Sequence, residues 1–229
     1  MLNLPGRDDL CAPFLAELPV TGAAISIFVG TANETRMGAT DDCAIALDEA
    51  QFSVGEGPRW SAMRTRAPVI VPDTLAAHLE WPALGTALAD AGAAAVFVLP
   101  LIVGAVNIGV VEMYHTRPGS LSAPTLLHAQ TLTSTTSWAL MHSILDEGRR
   151  NPEAMTEYEP LARREIHQAT GMILVQADVS AAEALMLLRA HAFAHEQTLE
   201  EAAQAVISRN LTFAAEPNAV SDSAESEEH

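Results

Sequence analysis

The sequence predicts two folding units of different class: an α+β domain built on an antiparallel sheet, then an all-α module of three short helices. Three observations carry this reading. From about residue 20 to 145, strand-like runs are punctuated by helix-like ones, the pattern of an α+β domain. From 161 to 213, apolar residues recur only at helical spacing, and two capping signals mark helix starts. Between the two lies a polar, proline-bearing stretch. The expected boundaries are therefore 1–146 for the first domain, 147–160 for a linker, 161–213 for the helical module and 214–229 for a tail.

The elements follow in order. Residues 9–18 precede the first strand, so an opening helix is abbreviated or interrupted at Pro13. Residues 23–29 and 44–47 read as strands, with Cys43 a small buried hydrophobe beside the second. Residues 58–65 read as a helix, 69–71 as a short strand and 81–91 as a helix. A strand pair, 94–102 and 105–114, turns at Val103-Gly104, and 122–146 reads as a long helix. About 125 residues suffice for one sizeable core.

In the second unit, Ser180-Ala181-Ala182-Glu183 and Thr198-Leu199-Glu200-Glu201 fit the capping box, in which a hydroxyl and a Glu three residues on satisfy each other's backbone N–H groups. Ile166, Ala169 and Ile173, then Ala184, Leu187, Leu188 and His191, then Leu199, Ala202, Ala203 and Val206 give each helix one face to bury. Ala169, Gly171, Ala192 and Ala203 are expected to permit close helix packing, since a glycine inside a helix needs such a reason.

Charge and composition exclude several function classes. The chain has 12 Arg, no Lys and 29 acidic residues, for a formal net charge of -17. Such a chain repels nucleic acid as a whole, so any RNA binding must rest on a local Arg cluster, shape and stacking. Residues 161–213 carry four Arg against six acids and three His, and the Ser-rich tail carries five carboxylates with no Arg. The tail reads as disordered. No run reaches the roughly 18 apolar residues of a membrane span, and charges occupy 1–19 where a signal peptide needs an apolar core, which points to a cytoplasmic protein. Cys11 and Cys43 are the only thiols, and His191 and His195 lack both the Glu and the third ligand of a zinc helix, so no metal is expected. No triad order, phosphate loop or catalytic carboxylate pair stands out, and catalysis is not supported.

Arg163, Ile166, Ala169, Gly171 and Ile173, followed by Ala184, Leu188, Arg189, Ala192, Leu199, Ala203 and Val206, resemble the ANTAR domain, a bacterial RNA-binding module of antitermination regulators. The resemblance implies binding, as a homodimer, to paired small hairpin loops in a leader transcript, so that a terminator fails to form. It implies that Arg163, Arg164, Arg189, His167 and His195 contact RNA, and with them position 170. There Thr170 replaces the family's Lys, which removes a phosphate contact. Read alone, each Arg is equally a solvated surface charge.

In the first unit, Gln51 with Gly55-Glu56-Gly57-Pro58, Ala67-Pro68-Val69, Val71-Pro72-Asp73, Trp81-Pro82, Gly92, Leu99-Pro100-Leu101 and Ile108-Gly109-Val110 resemble a GAF domain. GAF domains sense small molecules, redox state or light, or act as dimerising scaffolds, and fold alone does not choose. Arg59 stands where similar proteins often have Cys, which excludes a thiol switch or a bilin attachment point there. Trp60 and Trp81 with Arg59 and Asp73 are candidate pocket walls and polar anchors for a small-molecule ligand of unknown identity. The alternative is that the tryptophans anchor helices on the sheet and Asp73 caps the helix after it. Pro152 and Pro160 are expected to interrupt the connection and let a GAF dimer set the spacing of two ANTAR modules. The resulting expectation is a signal-responsive RNA-binding regulator of transcription antitermination. The alternative is a dimeric protein-interaction scaffold without RNA binding.

Overall fold

A computed structural model describes residues 10–29, 33–150 and 161–213. Of the linker expected at 147–160, residues 147–150 belong instead to the long helix that ends the first domain, and the remainder, with Pro152 and Pro160, lies outside the described residues, as does the acidic tail. The first domain is a five-stranded, wholly antiparallel sheet in the order β2-β1-β5-β4-β3. Its strands are β1 (Gly22–Val29), β2 (Asn33–Ala39), β3 (Val69–Val71), β4 (Ala95–Val103) and β5 (Val106–His115).

Alternation along the strands builds two cores. Ile25, Ile27, Phe97, Leu99, Val111 and Met113 face α1 (Ala12–Glu17) and the long α5 (Ala123–Arg150), where Phe14, Ala129 and Leu140 meet them. On the other face Ala24, Val96, Val98 and Val110 meet α2 (Asp42–Val54), α3 (Pro58–Thr65) and α4 (Pro82–Asp90) through Leu47, Ala62, Leu84 and Leu88. The opening helix is short, Ala12–Glu17, with Pro13 in its first turn, where a proline starts a helix rather than interrupting it.

Two elements differ from the sequence reading. Residues 44–47, expected as a strand, belong to α2, and Cys43 lies in its first turn. Asp41 caps that helix by accepting from the Ala44 N–H at 2.9 Å, and Gly55, at φ 76°, ends it. A four-residue apolar run has no period of its own, so the flanking Asp and Gly decide it. The true edge strand, β2, is polar in composition and was not anticipated.

The second unit holds α6 (Leu161–Ala177), α7 (Ala181–Ala194) and α8 (Leu199–Ile207). Both capping boxes form: Ser180 Oγ accepts from Glu183 N–H and Thr198 Oγ1 from Glu201 N–H, while each Glu carboxylate accepts in return. Ile166, Ile173, Leu188, Leu199, Ala203 and Val206 make the core. Ala169, Ala192 and Ala203 are buried at helix contacts, but Gly171 is exposed and a Cβ there would meet nothing within 4 Å. The packing reason expected for that glycine is not present.

Candidate functional site

A cluster of buried charge interrupts the apolar packing on the α2/α3 face of the sheet. Strand alternation turns Ser26 of β1, Glu34 of β2 and Glu112 of β5 that way, α2 adds Asp48 and Gln51, and α3 adds Arg59, all six buried. Charges at this depth persist only when paired. Arg59 does the pairing. Its Nε donates to Glu112 Oε1 at 2.8 Å, its Nη2 to Glu112 Oε2 at 2.7 Å and also to Asp48, and its Nη1 to Glu34. Gln51 closes the group, donating to Glu112 at 2.6 Å and accepting from the Arg59 backbone at 2.8 Å. A side chain at Gly57 would collide with Leu84 at 2.5 Å and with Gln51 at 2.9 Å, and its φ of 125° suits glycine.

The helical module reaches into the same cluster. Arg163 of α6 is fully buried; its Nη2 donates to Asp48 at 2.5 Å, while Nη1 stands 3.6 Å from Glu34 and Nε 3.4 Å from Glu49. Its guanidinium lies 4.3 Å from the centre of the Phe52 ring, a cation–π distance. Arg189 of α7 donates to the Phe52 carbonyl and lies 5.5 Å from the Phe52 ring and 5.3 Å from the Trp60 ring. His167 meets Phe52 edge-on at 6.2 Å. Phe52, a residue of α2, thus lies within the core of the three-helix module.

Electrostatics explains why the two units meet here. Burial pushes the Asp48 carboxyl up, but Arg59, Arg163 and Arg36 outweigh it and hold the group below the usual carboxylate range. Glu112 goes the other way: burial, only partly offset by Arg59, pushes it up to about 7. Burial also raises Glu34 and lowers Arg189 to about 10. Glu34, Asp48, Glu49 and Glu112 face Arg36, Arg59, Arg163 and Arg189; without the two arginines of the module, the carboxylates would outnumber the cations. The first domain presents an anionic socket, and Arg163 fills it.

Beside the socket, a cavity of about 800 Å³ opens between the two units. Phe28, Trp60 and Met63 form one wall, and Leu185, Met186 and Phe193 the other, with Glu34 and Arg189 among the polar groups lining it.

The model of the GAF domain matches residues 8–141, more than half of the chain. The chain belongs to the GAF domain family. The model of the ANTAR domain matches residues 156–207, so a GAF domain is joined to an ANTAR domain. Both are sensor and regulatory domains rather than catalytic families; ANTAR domains bind RNA and GAF domains bind small ligands. Among solved structures, a domain assigned to a two-component sensor histidine kinase protein from Sinorhizobium meliloti 1021 is similar at 18% identity with a TM-score of 0.51, covering 63% of this chain and 94% of that one. A GAF domain/HD domain protein from Geobacter sulfurreducens is similar at 19% identity with a TM-score of 0.47, covering 60% and 90%. No curated protein matches. No single helix among the described residues is long and apolar enough to cross a membrane.

The GAF–ANTAR contact redistributes the residues singled out from sequence. Arg163 and Arg189 point into the GAF domain, Arg164 and His195 are exposed, and His167 is half-buried against Phe52. Thr170 is buried, its hydroxyl donating to the Ile166 carbonyl at 2.7 Å, so it lies inside the ANTAR domain. His191 stacks on His195 with ring centres 4.0 Å apart. Among the pocket candidates, only Trp60 lines the cavity. Arg59 is the centre of the charge cluster, Trp81 is buried in the GAF core, and Asp73 accepts from the Leu75 N–H at 2.9 Å as a cap. Sequence reading missed Glu34, Asp48, Glu112 and Phe52. Two of them carried a signal: Glu112 interrupts the apolar run of β5, and Asp48 shares a helix face with Ala44, Leu47 and Gln51.

Proposed function

We propose that the chain is a signal-responsive RNA-binding regulator of transcription antitermination, a cytoplasmic homodimer in which the GAF half senses a small signal and the ANTAR half binds paired hairpin loops of a leader transcript. One observation carries the coupling: Arg163 and Arg189, the ANTAR cations expected to hold RNA, are engaged by Asp48 and Phe52 of the GAF domain. The docked arrangement is then the silent one, because a fully buried guanidinium offers nothing to a phosphate. Release of the ANTAR domain presents Arg163 and Arg189 together with the exposed Arg164 and His195, and dimerisation doubles these few contacts.

The test is fluorescence anisotropy with a labelled RNA bearing two adjacent hairpins from the organism's leader transcripts, at two salt concentrations. Phe52→Ala removes a GAF residue that cradles both arginines, so it is expected to tighten RNA binding by about tenfold or more, whereas Arg163→Glu abolishes it. The affinity should fall with salt as counterions compete for the released arginines. A scaffold that contacts only protein would saturate with RNA in neither form.

A further inference from the structure

The outer face of α5, turned away from the sheet, is left open among the described residues, and its composition sets it apart from the rest of the surface. Ala129, Leu132, Leu140 and Ile144 pack inward on the GAF core. On the outer side Leu127, Trp138 and Leu145 are 66%, 53% and 51% exposed, with Thr131 and Ser134 exposed between them and Met141 half-buried at the edge. From Leu127 to Leu145 these positions follow one another at alternating steps of four and three residues, the spacing of a seam between two packed helices, and at a helical rise of about 1.5 Å per residue they span about 27 Å. Charge is missing from the same face. Although 18% of the chain is charged, no Asp, Glu, Lys or Arg occurs between Arg117 and Asp146. The solvent side of a helix is where charged residues ordinarily collect, so an exposed stripe that carries a tryptophan and two leucines and no charge is built for contact.

We infer that this face binds a second copy of the chain, with the two α5 helices running antiparallel. Charge and shape fix the occupant. Two chains of formal charge -17 repel each other, and a seam free of acids is where they can approach. In a two-fold contact the same stripe lies on both sides, so it must complement itself. Antiparallel pairing about the midpoint of the stripe sets Ser134 against Trp138, Thr131 against Met141 and Leu127 against Leu145: the indole lies over a serine, the methionine over a threonine, and leucine closes both ends. Parallel pairing would set Trp138 on itself, Thr131 on itself and Ser134 on itself, too full at one level and too empty at the others for close packing. An unrelated partner has no need of a stripe that matches its own reverse. The homodimer belongs to the function proposed above, but the face and its direction are read from α5 alone. Only the consequence for RNA rests on that function: the chain leaves each α5 for its ANTAR domain at Arg150, so the antiparallel seam places the two exits at opposite ends and sets the separation of the modules.

Sedimentation velocity on the full chain tests the face. The wild type should sediment as a dimer, and Trp138→Glu, which puts two carboxylates into the seam, should weaken self-association by about a hundredfold or more. Because the indole is exposed in the single chain, the circular dichroism should not change. A wild type that stays monomeric up to about 100 μM, or a dimer that Trp138→Glu leaves intact, overturns the inference. Cysteine cross-linking in a Cys43→Ser background reads the direction, Cys11 being fully buried. Leu127→Cys and Leu145→Cys, mixed and oxidised, should join position 127 to position 145, and neither variant should cross-link alone, since like positions at the ends of an antiparallel pair lie far beyond disulfide reach. Leu127→Cys joined to itself overturns the antiparallel arrangement. In the RNA titration Trp138→Glu should lower affinity by about tenfold or more, because the two modules no longer bind together. Loss of the dimer without that drop counts against the proposed function and supports the seam, and absence of RNA binding in both the wild type and Phe52→Ala likewise counts against the function alone.

Discussion

The inner and outer halves of the charge cluster use the same chemistry to different ends. In the inner half, Arg59 spends its Nε and both terminal nitrogens on Glu112, Glu34 and Asp48, and Gln51 seals the edge. In the outer half, Arg163 makes one short bond to Asp48, while its Nε and Nη1 stand at ion-pair distance without hydrogen bonds, and Arg189 Nε is also unmatched. Every guanidinium nitrogen of Arg59 is hydrogen-bonded, which rigidifies the fold around it, whereas Arg163 is only partly matched and gives up less when its contacts open. The inner half holds the GAF domain together; the outer half holds the ANTAR domain to it.

That contrast ranks the expected effects. Arg59→Met leaves three buried carboxylates without their common partner, and removing one side of such a pair costs about 3–5 kcal/mol, a large share of the roughly 5–15 kcal/mol by which an ordinary domain is stable. Urea denaturation should show the midpoint of the cooperative transition moved to much lower denaturant. Arg163→Met is milder, because the ANTAR domain can undock and let Asp48 meet water; about 1–3 kcal/mol is expected. Its signature is faster hydrogen exchange in α2 around Phe52, with the sheet still protected. Equal losses in the two variants would break the distinction between the halves.

Acidity sharpens the same comparison. The folded state raises the Glu112 pKa from 4.5 to about 7, so the native form binds more protons than the unfolded form between those values. The stability contributed by the protonated carboxyl is complete below 4.5 and is lost as pH rises through 7; Glu34, also raised, acts in the same direction. Asp48 has the opposite sign, contributing above its unfolded value and losing it only in strong acid. Between pH 5 and 8 the wild-type thermal midpoint should therefore decline, and Glu112→Gln should flatten that decline even though it starts from a lower midpoint. An equally steep decline in the variant would assign the pH response to other groups.

Local signals made the helices and the hairpin legible in the sequence. The capping boxes at Ser180 and Thr198, Pro58 at the start of α3 and the turn after Val103 all act within a few residues, so they can be read without knowing the fold. The strand placed at 44–47 failed because its four apolar residues carry no period, while the deciding Asp41 and Gly55 lie outside the run. The charge cluster was hidden for a different reason. Its members come from β1, β2, α2, α3, β5, α6 and α7, and Asp48 and Arg163 are 115 residues apart; only the sheet order and the docking of the helical module bring them together. The arginines were found as residues, but their partners were not, because a resemblance that marks Arg163 and Arg189 as cations says nothing about which anion meets them.

Gly171 gives the smallest effect and the cleanest control. It lies inside α6, on the solvent side of the helix that carries Arg163, and a Cβ there would meet nothing within 4 Å. Gly171→Ala should stabilise the chain by up to about 1 kcal/mol through helix propensity alone. For a chain of this size that raises the thermal midpoint by about 2–4 °C. Because the site touches neither half of the cluster, hydrogen exchange around Phe52 should not change, so the gain separates the stability of α6 from the strength of its docking. A loss of stability instead would mean that the exposed glycine lies against another surface in solution, and its dependence on protein concentration would identify that surface as a second copy of the chain.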